Sequence, residues 1–144
     1  MFLLTLALSL AVPAQTQPPT PSWDKVVVDL SEQTATVYDA HGTKLRAFKV
    51  SSGSPDNPTP KGRFKVYSKS PVTFARSNPS VTMLNMVRFN GGVGFHAIPR
   101  KNGVPLKTPL GRYGVSHGCI RMSDADAEQM YKNLPLGASV VVRT

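Results

Sequence analysis

From Lys25 to Arg143 the apolar residues fall into short runs that alternate with polar ones or branch at Cβ, and the gaps between runs are rich in Gly and Pro. Period-two alternation puts every second side chain on one face, so such runs bury themselves as strands rather than helices. Lys25–Leu30, Gln33–Asp39 and Lys44–Val50 read as three strands in succession, with Ser31-Glu32 and Ala40–Thr43 as their turns. Ser51–Lys61 carries Gly53, Pro55, Pro58 and Pro60 and reads as a loop. Arg63–Ser68 alternates strictly, and Ser70–Ser80 reads as a second Pro-bearing loop. Leu84–Phe89 and Val93–Ile98 flank Asn90-Gly91-Gly92, a hairpin signal. One helix is predicted. It starts at Ser123, with Asp126 three residues on in a capping-box-like pattern, and ends at Leu134-Pro135-Leu136-Gly137. Ser139–Arg143 is the last strand. About seven strands and one helix predict a mainly β, single-domain fold, a sandwich or a barrel-like sheet pair.

The first residues follow a different rule. Phe2–Val12 is apolar except for Thr5 and Ser9, and Val12-Pro13-Ala14 resembles a small-residue cleavage site. A run of about 11 residues is too short to span a bilayer and fits the hydrophobic part of an export signal. The expected organisation is therefore a signal over residues 1–14, a Pro-rich linker over 15–22, and a folded domain over 23–144, exported to the periplasm or cell wall. All 17 Lys and Arg and all 8 Asp and Glu lie after Trp23, so the folded domain carries the whole charge of +9. The basic residues are scattered rather than blocked. That pattern favours contact with an anionic wall polymer and argues against a nucleic-acid partner.

The chain has one cysteine, so no internal disulfide can form and Cys119 is either packing or a reactive thiol. Its neighbours, Ser116-His117-Gly118-Cys119-Ile120-Arg121, carry the densest chemistry in the chain. A thiol reacts as thiolate and needs a base. Two histidines are candidates. His117 stands two residues before Cys119, and His96 lies on the strand Val93–Ile98. Gly118 leaves room for a carbonyl to approach the backbone, where the Gly118 and Cys119 N–H groups could hold an oxyanion. Arg121 could neutralise a substrate carboxylate and favour thiolate. His96, His117 and Cys119 lack the paired spacing of a metal site, and no metal or cofactor is expected.

The stretch Ser116–Met122 resembles the signature of L,D-transpeptidase catalytic domains of the YkuD type. Thr59-Pro60-Lys61-Gly62-Arg63-Phe64, Gly94-Phe95-His96-Ala97, the helix over Asp124–Tyr131 and the closing Leu136–Val142 resemble the same family in the same order. The resemblance implies a β-sandwich of mixed sheets with one helix after the cysteine, and a cysteine acyltransferase acting on peptidoglycan stem peptides and forming 3→3 cross-links. It implies Cys119 as nucleophile, His96 as base, and the Ala97 carbonyl as holder of the second ring nitrogen. His117, Gly118 and Cys119 would shape the oxyanion site, and Ser116 and Arg121 would line the pocket. Nineteen residues separate His96 from Ser116, a longer interval than is usual in the family. The excess, Pro99–Leu110, is expected to be a substrate-side surface loop, which costs little to close. Two other functions fit the same residues: an L,D-carboxypeptidase that hydrolyses the same bond, and a non-catalytic basic module that binds the wall.

Overall fold

The computed structural model describes residues 9–144. Most of the expected export signal, residues 1–8, lies outside the described residues, and residues 9–22 are exposed without helix or strand. The order along the chain begins β1 (Lys25–Asp29), β2 (Thr34–Tyr38), β3 (Lys44–Lys49), β4 (Gly62–Lys65), β5 (Ser68–Phe74) and β6 (Val81–Asn90). It continues with β7 (Val93–Ala97), β8 (Arg100–Lys101), β9 (Val104–Pro105), β10 (Ile120–Met122), α1 (Asp124–Asn133) and β11 (Ser139–Arg143).

The first sheet runs β3-β2-β1-β11-β4. β1 pairs antiparallel with β2 and parallel with β11, which sets Val26 beside Val140 and Val28 beside Val142. Every second residue of these strands is buried: Val26, Val28, Ala35, Val37, Val140 and Val142. That is the alternation seen in the sequence, now turned to a shared core. The second sheet runs β10-β7-β6-β8-β9, with β5 also paired to β6. β7 and β10 are parallel and its other ladders are antiparallel. Phe64 of β4, Phe89 of β6 and Phe95 of β7 form a tilted chain with ring centroids 5.5 and 5.2 Å apart, which ties the two sheets together.

The fold is mainly β with one helix, as the alternation predicts, and its sheets are mixed, as the family resemblance implies. Helix α1 begins where expected. The Ser123 hydroxyl accepts the Asp126 N–H at 3.2 Å, and Ala127 and Met130 are buried against β6, β7 and β10. Only Ser123 separates α1 from β10, so the cap also fixes how the chain leaves the signature.

Four strands were not expected. β5 passes through the predicted loop at Ser70–Ser80 and contains Pro71. Among the described residues it pairs only with β6, and an edge strand can turn a missing N–H away from its neighbour. β8 and β9, of two residues each, fold the first part of the expected loop Pro99–Leu110 into a hairpin. Asn102 and Gly103 at its tip both have positive φ, 50° and 81°, as a tight two-residue hairpin turn requires. β8 joins β6 at Val81 and Thr82, and Arg100 pairs with Asp124 at the start of α1. The excess length is thus partly ordered sheet rather than plain loop. β10, three residues inside the signature, is too short for its alternation to be read.

Candidate active site

β10 aligns with β7 in parallel register, Ile120 with Phe95, Arg121 with His96 and Met122 with Ala97. One step back, Cys119 falls beside Gly94. Odd and even residues take opposite faces. Phe95, Ala97, Ile120 and Met122 therefore face the core, while Gly94, His96, Cys119 and Arg121 share the other face. Diagonal neighbours on such a face have Cα atoms about 7–8 Å apart, within reach of an imidazole and a thiol. On β6, Arg88 stands opposite Gly94 and extends the same row.

Gly94 is fixed by its neighbour strand. A Cβ there would lie 2.3 Å from the Val87 carbonyl oxygen, so only glycine lets β6 approach this closely. The thiol sits over this place. Cys119 Sγ donates to the Gly92 carbonyl at 3.4 Å, and the Gly94 N–H is directed at the sulfur.

The turn before Cys119 is held from inside. Gly118 has φ +130°, a region that L side chains rarely adopt, although a Cβ would meet only Val93 at an ordinary 3.6 Å. Glycine is required here by the backbone, not by space. The Gly118 N–H donates to the Ser116 hydroxyl at 3.1 Å, and that hydroxyl donates to the Cys119 carbonyl. The Gly118 carbonyl accepts from the buried Thr59 hydroxyl at 2.6 Å, and Thr59 Oγ1 accepts the Gly53 N–H at 2.9 Å. Residues 51–54 complete the clamp. Ser51 and Arg121 exchange backbone hydrogen bonds at 2.8 and 3.0 Å, and Ser54 N donates to Ser116 O at 2.8 Å. Of the two N–H groups expected to hold an oxyanion, that of Gly118 is occupied by Ser116. The Cys119 N–H makes no hydrogen bond among the described residues.

His96 is 2 % exposed, and its Nδ1 lies 2.6 Å from the Ala97 carbonyl. A carbonyl can only accept, so Nδ1 carries the proton and Nε2 keeps its lone pair. Burial lowers the His96 pKa to about 4, against the Ala97 hydrogen bond, and the Arg121 charge lowers it further. The ring is neutral at neutral pH. Burial raises the Cys119 pKa, while the Gly94 N–H and the Arg88 and Arg121 charges act the other way. The resting pair is therefore thiol and imidazole, not an ion pair, and the two are not hydrogen-bonded to each other here. Arg121 has a buried Nε without a partner among the described residues.

Of the residues singled out in the sequence, Ser116, Gly118, Cys119, Arg121, His96 and Ala97 come together. His117 does not join them: it is exposed and makes no hydrogen bond with Cys119. Thr59 and Arg88 belong to the same region and were not singled out. Thr59 lies in a stretch whose likeness to the family is legible, but its bond to Gly118 spans 59 residues and leaves no local mark. The segment leading into the signature lines an open cavity of about 710 Å³, with Lys107, Leu110, Arg112 and Tyr113 on its wall. The arrangement brings together a thiol, a neutral base of fixed tautomer, an unengaged N–H and cationic groups. These are the parts of covalent acyl transfer.

The chain is similar to known proteins in sequence and in fold. The family model described as the L,D-transpeptidase catalytic domain, YkuD, matches residues 24–142. A Bacillus subtilis (strain 168) protein provisionally named L,D-transpeptidase YciB is 31 % identical over 123 residues, covering 80 % of this chain and 63 % of its own. An L,D-transpeptidase structure from Mycobacterium smegmatis superimposes with a TM-score of 0.71 at 30 % identity, over 85 % of this chain and 59 % of that one. L,D-transpeptidase 3 from Mycobacterium tuberculosis, solved with a faropenem-derived adduct, gives 0.66 at 27 % identity, over 86 % and 61 %. The chain thus spans about three fifths of the length of each of these relatives. It belongs to the YkuD family of L,D-transpeptidase catalytic domains.

Proposed function

We propose that this domain cross-links peptidoglycan stem peptides in the 3→3 manner by acyl transfer through a Cys119 thioester. One observation carries the reading: the β7–β10 register sets His96, with its Nδ1 held by Ala97, on the same face as Cys119. His96 Nε2 takes the thiol proton as sulfur attacks the carbonyl before the terminal D-alanine of a tetrapeptide donor. Because burial disfavours both the thiolate and the imidazolium, the proton moves together with the attack rather than ahead of it. The Cys119 N–H stabilises the oxyanion, a contribution of about 3 kcal/mol for a well-placed donor. The imidazolium then protonates the departing amine, D-alanine leaves, and the acyl group remains on sulfur. An amine of a second stem, such as the side chain of diaminopimelate, attacks the thioester with His96 again as base. The new amide forms and the thiol is restored.

The faropenem adduct on the Mycobacterium tuberculosis relative supports a site open to acylation. The charge of +9 supports residence on an anionic wall outside the cytoplasm. The test is product analysis with a tetrapeptide donor and an acceptor stem. Released D-alanine with 3→3 dimers is expected. Trimmed monomers alone would transfer the assignment to an L,D-carboxypeptidase, and no product with any donor would end it.

A further inference from the structure

Arg88 is a charged group on the face of Cys119 that the mechanism above does not use. It stands in the row Ser68–Arg88–Gly94, which the register continues to Cys119. Gly94 has no side chain, so nothing from β7 rises between the guanidinium and the sulfur. Two strand spacings separate Arg88 from Cys119, roughly 10 Å between Cα atoms. The guanidinium lies over β5, on the far side of β6 from β7, so the gap above Gly94 stays open to substrate while the Arg88 charge still acts on the thiol.

The guanidinium is held, but not neutralised. Arg88 Nη1 donates to the Ser70 hydroxyl at 2.8 Å and to that of Ser68 at 3.4 Å, and Nη2 donates to Thr73 at 3.2 Å. All three partners are uncharged and all lie on β5. The ion pairs among the described residues involve Arg46, Arg100, Lys132 and Arg143, and none involves Arg88. A half-buried cation oriented by neutral hydroxyls and lacking a counter-ion is arranged for an anion that arrives from outside. Its fork is set before the ligand binds, so little side-chain freedom remains to be lost.

We infer that Arg88 is a carboxylate-recognition residue for the donor peptide, displaced from Cys119 across the sheet where Arg121 is displaced along the strand, and that it favours donors with a free carboxylate near the scissile bond. The peptide donor is taken from the acyl-transfer reading; the anion site stands apart from it. Recognition would therefore involve two arginines held in different ways. Arg121 is on the strand that follows the nucleophile, and Arg88 is two strands away, braced by an edge strand.

Two measurements on the full chain test this. The first compares alkylation of Cys119 by iodoacetate and by iodoacetamide, which share a leaving group and differ in charge. The ratio of the two rates should fall roughly fivefold in Arg88→Gln and take an intermediate value in Arg88→Lys, which keeps the charge and loses the fork. Arg121 is unchanged in all three proteins, so its share of the field cancels. Circular dichroism and melting temperature establish that Arg88→Gln is folded, so that the field of Arg121 is the same in each protein, and Arg88→Lys is the second variant. A ratio in Arg88→Gln equal to that of the wild type would overturn the inference. The second compares kcat/KM for a tetrapeptide donor with free side carboxylates and for the same donor with them amidated. Wild type should prefer the free form about tenfold, and Arg88→Gln should lose that preference. A preference retained by Arg88→Gln would overturn it. If wild type turns over neither donor, the acyl-transfer reading fails, and the alkylation ratio alone decides the anion site.

Discussion

His96 and Arg121 are Cα partners in the parallel ladder of β7 and β10. A histidine and a cation far apart in sequence are thus fixed side by side by backbone pairing, with the Cys119 thiol one residue beyond the end of the ladder. Arg121 opposes protonation of the ring it flanks, and burial opposes it more strongly.

Stability should therefore depend on pH through His96. Its folded pKa of about 4 lies below the ordinary value of 6.5, so between these pH values the unfolded chain binds the extra proton. The stabilisation is complete above pH 6.5 and is lost as pH falls through 4, a change of roughly 3 kcal/mol. Urea unfolding from pH 7 to 4 should show this fall in wild type and a smaller one in His96→Asn. Equal pH dependence in the two proteins would contradict it.

Thr59→Val should loosen the turn that carries the nucleophile. It deprives the Gly118 carbonyl and the Gly53 N–H of their shared partner, at a cost of about 2 kcal/mol or more. Acylation of Cys119 should slow at least about tenfold, because small misplacements of reacting groups are expensive. Thr59→Ser keeps the hydroxyl and should stay near wild type. Chemical denaturation and single-turnover acylation measure both effects.

Gly94→Ala should destabilise strongly, by about 3 kcal/mol, because the new methyl meets the backbone of Val87 and Arg88 and not a movable side chain. Gly92→Ala is the matched control, since nothing lies within 4 Å of its added carbon. It should remain within about 0.5 kcal/mol of wild type. Similar melting temperatures for the two variants would refute the close approach of β6 and β7.

The free thiol should be less acidic than an ordinary cysteine, since burial raises its pKa. The pH profile of iodoacetamide alkylation should inflect above the usual thiol value of ~8.5, with slow reaction at pH 7. An inflection below pH 7 would instead show a resting thiolate–imidazolium pair.

Much of this molecule is legible in its sequence, for identifiable reasons. β1, β2, β3, β6, β7 and β11 have enough alternating residues to display a period, and Ser123 with Asp126 marks the start of α1. β5 is hidden by Pro71, which is tolerated because the strand lies at an edge, and β8, β9 and β10 are too short to alternate. At the site, Ser116, Gly118, Cys119 and Arg121 are neighbours in sequence and are found together. The ladder that brings His96 to Arg121 is a pairing of strands distant along the chain, which no local pattern encodes. The same holds for the Thr59 hydroxyl under Gly118 and for Arg88, which reads in sequence as one more surface cation of a basic chain. The surroundings of His96 and His117 differ in a way that only the fold shows. His96 is buried with one nitrogen held by Ala97, whereas His117 is turned to solvent.

Intact-mass analysis of the protein after incubation with a tetrapeptide-stem donor, with no acceptor present, asks most directly whether Cys119 carries the acyl group. The expected result is a mass increase equal to the donor less its terminal D-alanine, absent in Cys119→Ala and formed about a hundredfold more slowly in His96→Gln. An unmodified wild type, or an equal adduct on Cys119→Ala, would contradict it.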